Sequence, residues 1–433
     1  MAAGGRYGAG LANARRGERG VVLVLAVFAV VLLLVLAVGL TAAVRGEMLA
    51  ANTSLQRSQS LFLAEAGISQ ARALLLYEDM TSDTLQDVWG PEAEAPLDAP
   101  LAIGPGFLRI RVYDACGRVD INTADVVTLT RLIGDAGLAQ AIVDWRGPGQ
   151  EAEYYRSLPY PYVPRQAGFQ TTGELLLVKG MTPDLYFGSP TRAGLRDLVT
   201  VASASLNTTA DGKKRVFLNS LNGYGVIDDW ASRIVSTYGG GLTVEDLNKV
   251  ARGLDLLRRE GQRGYSSVSQ LVDAAQFYEA EDLARVVDYF SAQPGDEVTG
   301  KVNVNTAPPE VMAALPGSSG ALAEAIVQER NAQPFASLGE VARVMCAHGG
   351  VGTFQQMIDF VTTKSSCFVV DSMGYTGTGR GFRRLRALVY RHQVSRVFEV
   401  AVLHQAEEDS PLPPPENLLV QSAYSRRSDV APS

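Results

Sequence analysis

The chain has 433 residues, room for two or three domains, and carries a formal charge of −7. That acidity argues against a nucleic-acid-binding footprint, which is usually basic. Cys116, Cys346 and Cys367, with His348, His392 and His404, fall at no metal-ligand spacing, and no Gly-x-Ser-x-Gly, paired-histidine or phosphate-loop motif marks an enzyme.

In chain order, Arg6, Arg15, Arg16 and Arg19 precede an apolar run over residues 20–44 that meets no charge before Arg45. A membrane-crossing helix needs about 20 such residues, and a cleaved secretory signal has an apolar core of only about 7–15. The helical pattern then continues. Leu61, Ala64, Ile68, Ala71 and Leu75 recur at steps of three and four, and the first proline is Pro91. One continuous helix is predicted from about Val21 to about Tyr77, roughly 85 Å long at 1.5 Å per residue. Its first half belongs in lipid and its second half against a soluble domain. The basic leader places the N-terminus in the cytoplasm and the bulk of the chain in the periplasm. Gly20, abutting the apolar run behind that leader, resembles a type IV prepilin signal. The resemblance implies that a peptidase cuts after Gly20 and leaves Val21 as the first mature residue. Leu25 then holds the fifth mature position, where most pilins carry glutamate, and Val21 stands where phenylalanine or methionine is common.

Residues 80–100 are acidic and irregular. Residues 106–115 alternate as a half-buried strand, Leu108, Ile110 and Val112 against Arg109, Arg111 and Tyr113. Strand character returns at 367–372, 384–392 and 395–403, the last two as a potential hairpin. Strands at both ends of a helical middle predict one sheet split by an insertion. Cys116 ends the strand before that insertion and Cys367 opens the strand after it, so the two are expected to lie close and to suit a disulfide; Cys346–Cys367 is the alternative. From about Ala406 the chain holds Pro411, Pro413, Pro414 and Pro415 and few large apolar residues, and is expected to be disordered.

The middle contains a repeat. RVDINTAD at 118–125 matches KVNVNTAP at 301–308, and each precedes a helix-turn-helix-like stretch, with Gly134 and Gly317 in the turns. Phe169 to Leu175 (FQTTGEL) then matches Phe335 to Val341 (FASLGEV). A degenerate third copy lies between, with Arg215 to Ser220, Trp230 to Val235 and Tyr265 to Leu271. Asn122 and Asn305 are expected to accept from nearby backbone N–H groups and start the next helix. Thr123 and Thr306 would be its N-caps. Thr171 or Ser337 would cap the later helix, with a glutamate three residues on. The Leu315-Pro316-Gly317 turn with its alanine-rich helix has the helix-hairpin-helix pattern, whose turn N–H groups bind DNA phosphates in many proteins. Here Asp135 and Glu324 stand by the turns with no Lys or Arg near Gly317 before Arg330, so a structural hairpin is the expectation.

Together, the pilin-type leader and helix, Ala64-Glu65-Ala66-Gly67, the paired Asn-Thr-Ala hairpins, and the stretch from Asp144-Trp145-Arg146 to Gly180-Met181-Thr182 resemble the K-type minor pseudopilin family (GspK) of the type II secretion system. The likeness runs from about Arg19 to Leu403 and is weakest over 200–295. The absent glutamate at Leu25 fits, since K-type subunits characteristically lack it. The resemblance implies an α+β fold: a long N-terminal transmembrane helix packed on a pilin-type antiparallel sheet, with a large all-α domain of helix-hairpin-helix, SAM-like repeats inserted between strands. The implied division is a leader at 1–20, helix halves at 21–44 and 45–77, a β core at 78–116 and 365–405, an insertion at 117–364 and a tail at 406–433. The implied role is the tip of a periplasmic pseudopilus, capping a complex with I- and J-type minor pseudopilins, with partners packed along the stripe Leu61–Leu75. Further implied partners are the major pseudopilin, the prepilin peptidase and the inner-membrane secretion platform, with no nucleic acid. Family members can bind calcium in the insertion. Asp144, Glu151 and Glu153 are oxygen ligands at hand, but without EF-hand spacing a solvated acidic loop is the simpler reading. A DNA-uptake pseudopilin, which would need a basic hairpin face, and a type IV pilus minor adhesin are the alternatives.

Overall fold

The computed structural model describes residues 10–77, 81–94, 97–147, 152–221, 227–239, 241–376, 382–394 and 397–408. Helix α1 runs unbroken over Gly10–Tyr77. From Val21 it is apolar enough to cross a membrane, with a mean hydropathy of 3.6 in its most apolar window and none of that window buried. Beyond Arg45 the helix becomes the spine of a sheet. Ala64, Ile68, Ala71 and Leu75 are buried against Leu108, Ile110, Val112, Phe368 and Val370. Burying each such Leu or Ile contributes roughly 1.5–3 kcal/mol. Gly67 permits the close approach: a Cβ there would stand 2.1 Å from Ser372 Oγ.

The sheet has five strands, β1 Leu101–Ile103, β2 Gly106–Asp114, β3 Cys367–Thr376, β4 Phe382–Val394 and β5 Val397–Glu408, in that spatial order and all antiparallel. Strand β2 pairs with β3, Asp114 opposite Phe368, although the whole insertion separates them in sequence. The final strand reaches Glu408, into the segment expected to be disordered, and residues 409–433 lie outside the described ones. Residues 81–94 are irregular as expected, yet they bury Asp83 and Trp89, the indole edge-on to Phe368 at 5.2 Å.

The insertion is helical but not all-α: among the described residues it carries five two-stranded pairs. Each pair has two or three residues per strand, too short for alternation to show in sequence. Three of them are parallel and organise the rest. Val119–Asp120 pairs with Val199–Thr200, Val216–Phe217 with Phe290–Ser291, and Val302–Asn303 with Val361–Thr362. Each closes one copy of the repeat, so the insertion is three units, each leaving and returning to the same place.

Inside every unit the same asparagine grips the same backbone. Asn122 Nδ2 donates to Phe169 O at 3.0 Å and its Oδ1 accepts from Phe169 N at 2.7 Å. Asn219 does so with Tyr265, at 2.8 and 2.7 Å, and Asn305 with Phe335, both at 2.9 Å. The expected local role of Asn122 and Asn305 is therefore corrected: they bridge segments 47 and 30 residues apart. The local turn belongs to the residue two earlier, where Asp120 and Asn303 accept from Asn122 N and Asn305 N. The caps move too. Asp125 caps the helix α2, Val126–Ile133, and Pro308 with Pro309 starts α3, Pro309–Ala314, so neither Thr123 nor Thr306 is a cap. A Glu or Gln past each gripped aromatic takes the orphan amides before the next helix: Glu174 those of Gln170 and Thr171, Gln270 those of Ser266 and Ser267, Glu340 that of Ala336.

Candidate functional site

The neck, where the insertion leaves the sheet, gathers an unusual density of buried polar groups. Asp114 closes β2. Its Oδ1 accepts from Cys116 N at 2.7 Å, and its Oδ2 accepts from Asn303 Nδ2 at 2.9 Å and from the hydroxyls of Thr306 and Ser365, both at 2.6 Å. Thr306 thus serves the neck instead of its helix. Burial nonetheless pushes the Asp114 carboxyl up to about 6, against the donors Ser365 and Thr306, with the charge of Asp83 adding to the rise. Asp83 pairs with Arg391 Nη2 at 2.5 Å, both side chains almost fully buried. It also accepts from Ser365 N at 2.7 Å, and Asn303 Nδ2 donates to its carbonyl at 3.0 Å. Breaking such a pair by removing one partner costs about 3–5 kcal/mol, because the other charge stays buried. The neck therefore fixes four pieces together: the segment after α1, the end of β2, the third unit and β4.

Cys116 and Cys367 sit in one small buried cluster with Ala115 and Ala204. Ala115 N donates to Cys367 O at 3.0 Å, and Cys116 Sγ donates to Ala204 O at 3.1 Å. Both are free thiols here. Burial, then the Asp114 charge, pushes the Cys116 thiol up to about 12, and burial raises Cys367 as well. Cys346 is also free, and packs against the insertion's own core instead.

The two expected hairpin turns are present, with Gly134 and Gly317 left-handed at φ 81° and 72°. The Gly317 turn is spent on internal packing, whereas Gly134 to Gly137 are exposed. Arg131, on α2, donates to Ala313 O at 2.9 Å and to Ser318 O, on either side of the Gly317 turn. A Cβ on Gly317 would lie 2.6 Å from that of Gln356. Asp144 accepts from Gln140 on its own helix at 2.8 Å, Glu153 is exposed on Ala152–Arg156, and Glu151 lies outside the described residues. Among the described residues no group of three His, Cys, Asp or Glu is assembled that could hold a metal ion.

Along α1, Gly20 and Val21 fall within the helix, and Val21 and Leu25 are exposed on its apolar half. The stripe from Leu61 to Leu75 lies on the chain's own sheet, so partners cannot use it as expected. The free line of the soluble half is Met48, Leu55 and Phe62, all exposed. They recur every seven residues, on one line to within about 20° per step. Phe62 is two positions before Ala64, roughly 200° round the helix from the sheet.

Two segments match models of the family described as type II secretion system (T2SS), protein K: residues 121–201, nearly the whole first unit, and residues 302–349, most of the third. They bear out the resemblance to K-type minor pseudopilins. No curated protein matches the sequence. Among solved structures, the fold is similar to a chain of the crystal structure of the GspK-GspI-GspJ complex from the enterotoxigenic Escherichia coli type 2 secretion system, with a TM-score of 0.47 and 14% identity over 83% of this chain and 100% of that one.

Proposed function

We propose that this chain, a type II secretion system protein K by its two matched segments, is a minor pseudopilin held once in the inner membrane, its bulk in the periplasm, at the tip of the pseudopilus. The observation that carries the reading is the match of the first and third units to protein K models, on a chain whose one membrane-length helix, among the described residues, continues as the spine of its own sheet. Two features support the tip. Asp83, just past the end of α1, belongs to the neck, so the insertion springs from the end of the helix farthest from the membrane segment. Leu25 offers no carboxylate to a neighbour's N-terminal amine, and in lipid an unpaired charge is costly whereas leucine is not. The proposed partners are the I- and J-type minor pseudopilins, seated along Met48, Leu55 and Phe62, and the proposed processing site is Gly20–Val21.

Two experiments test this. Mass spectrometry of the mature chain should find Val21 at its N-terminus; an intact Met1, or a cut beyond Val44, contradicts the prepilin reading. Co-expression of the full chain with I- and J-type pseudopilins should yield a stable complex with the insertion exposed at one end, weakened by Phe62→Glu. A homopolymer, or a place between two other subunits along the fibre axis, contradicts the tip.

A further inference from the structure

The three units share a second pair of positions. Each opens on a basic residue directly before its first strand, Arg118, Arg215 or Lys301, and each carries an aspartate two residues before its closing strand, Asp197, Asp288 or Asp359. In the middle unit the two meet: Arg215 donates through Nε to Asp288 O at 2.9 Å and through Nη2 to Asp288 Oδ1 at 2.7 Å, both side chains buried. The third unit departs from this. Asp359 spends its carboxylate on the amides of Val268 and Ser269, at 2.8 and 3.3 Å. The ammonium of Lys301 has no hydrogen-bond or ion-pair partner among the described residues.

Between them lies a cavity of about 110 Å³, lined by Lys301, Asp359, Arg215 and the serines Ser266, Ser267 and Ser291. One water needs only about 10–15 Å³ of such space. Among the described residues, the donors without a protein partner on this lining are the ammonium of Lys301 and the Nη1 of Arg215, which Asp288 leaves unused; the carboxylate of Asp359 stands beside them. Asn207 adds one unpaired amide oxygen, which a bridging water would serve. Burial pushes the Lys301 ammonium down to about 8, with the Asp359 charge opposing and Arg215 adding to the fall.

We propose that this cavity binds a small free carboxylate, whose oxygens take the donors of Lys301 and Arg215 in place of the carboxylate that Asp359 withholds. The space is too small for a polypeptide segment, and the carboxylate that meets the basic residue in the middle unit points to a short organic acid as the ligand. The probe is acetate, compared with chloride at equal ionic strength, on the full chain in detergent. Acetate at ten times its dissociation constant should slow amine-directed labelling of Lys301, read by peptide mass mapping, about tenfold, and should raise the unfolding temperature. Lys301→Met should abolish the thermal shift. Equal labelling of Lys301 in acetate and chloride would overturn the proposal whether or not the variant folds. So would an experimental density map, recorded in acetate, that shows only ordered waters in the cavity.

Discussion

The third and middle units of the insertion are built on one plan and have drifted by different amounts. In the third, Asn303 makes the opening turn and reaches the neck, Thr306 joins it there, and Arg330 donates to Val304 O and Ala307 O. In the middle unit, Phe217 stands at the first of these positions and Ser220 at the second, its hydroxyl turned back to Phe217 O at 2.7 Å. Tyr238 takes the arginine's place and bonds to Lys214 O. What survives in both is the asparagine grip and the Glu or Gln that follows the gripped aromatic. The grip satisfies a backbone N–H and a backbone C=O at once, and apolar packing cannot replace either bond. The positions that face the neck are free to drift in a unit that does not touch it.

Removing the grip should separate the units most. Asn305 is almost fully buried whereas Asn219 is half-buried. Asn305→Ala strands two buried backbone groups and should cost about 2–4 kcal/mol. Asn219→Ala, where water can replace the side chain, should cost about 1–2 kcal/mol. Urea unfolding of the full chain in detergent measures both, and equal losses would show that the middle unit is as tightly closed as the third.

The next largest effect belongs to the neck. The folded Asp114 carboxyl keeps its proton to about pH 6, while the unfolded one releases it near 3.8. Its contribution to stability is therefore full below 3.8 and lost as pH rises through 6, a change of about 3 kcal/mol. Asp114→Asn should flatten that slope. A wild-type stability that rises between pH 4 and 6 with no change in the variant would show that the four donors outweigh burial.

A disulfide between Cys116 and Cys367 would tie both ends of the insertion, and so act on all three units together. We expect it to form during export, before the neck buries thiols that resist ionisation. It should add roughly 2–4 kcal/mol. Peptide mapping without reductant checks it, and a Cys346–Cys367 or unpaired result refutes it. The smallest effect is local to the middle unit: Tyr238→Phe loses one hydrogen bond at the surface and should cost about 0.5–1 kcal/mol by the same unfolding assay.

Much of this was legible in the chain itself. The apolar run and the stripe through Leu75 marked α1, period-two alternation marked β2 and the C-terminal hairpin, and the Asn-Thr-Ala repeat marked the first and third units. What could not be read were contacts between segments far apart. Nothing near Asn122 points to Phe169, nor anything near Asp83 to Arg391. Ser337 caps its helix as expected, but Thr123 and Thr306 were misassigned because they have the right chemistry in the right place, and only the tertiary structure shows Asp125 taking one helix and Asp114 claiming Thr306. The stripe Leu61–Leu75 looked equally fit for a partner or for the chain's own sheet, since periodicity reports that a face is buried and not by what.

The short parallel pairs that close the units have a consequence for how such a chain changes over generations. Because Val216 and Phe290 are neighbours across a strand pair, the stretch between them is a detour whose two ends already touch. Residues can be gained or lost within it, or the whole detour excised, while the flanking chain keeps its path. A gene encoding this architecture can vary the bulk it carries without redesigning the helix and sheet that carry it.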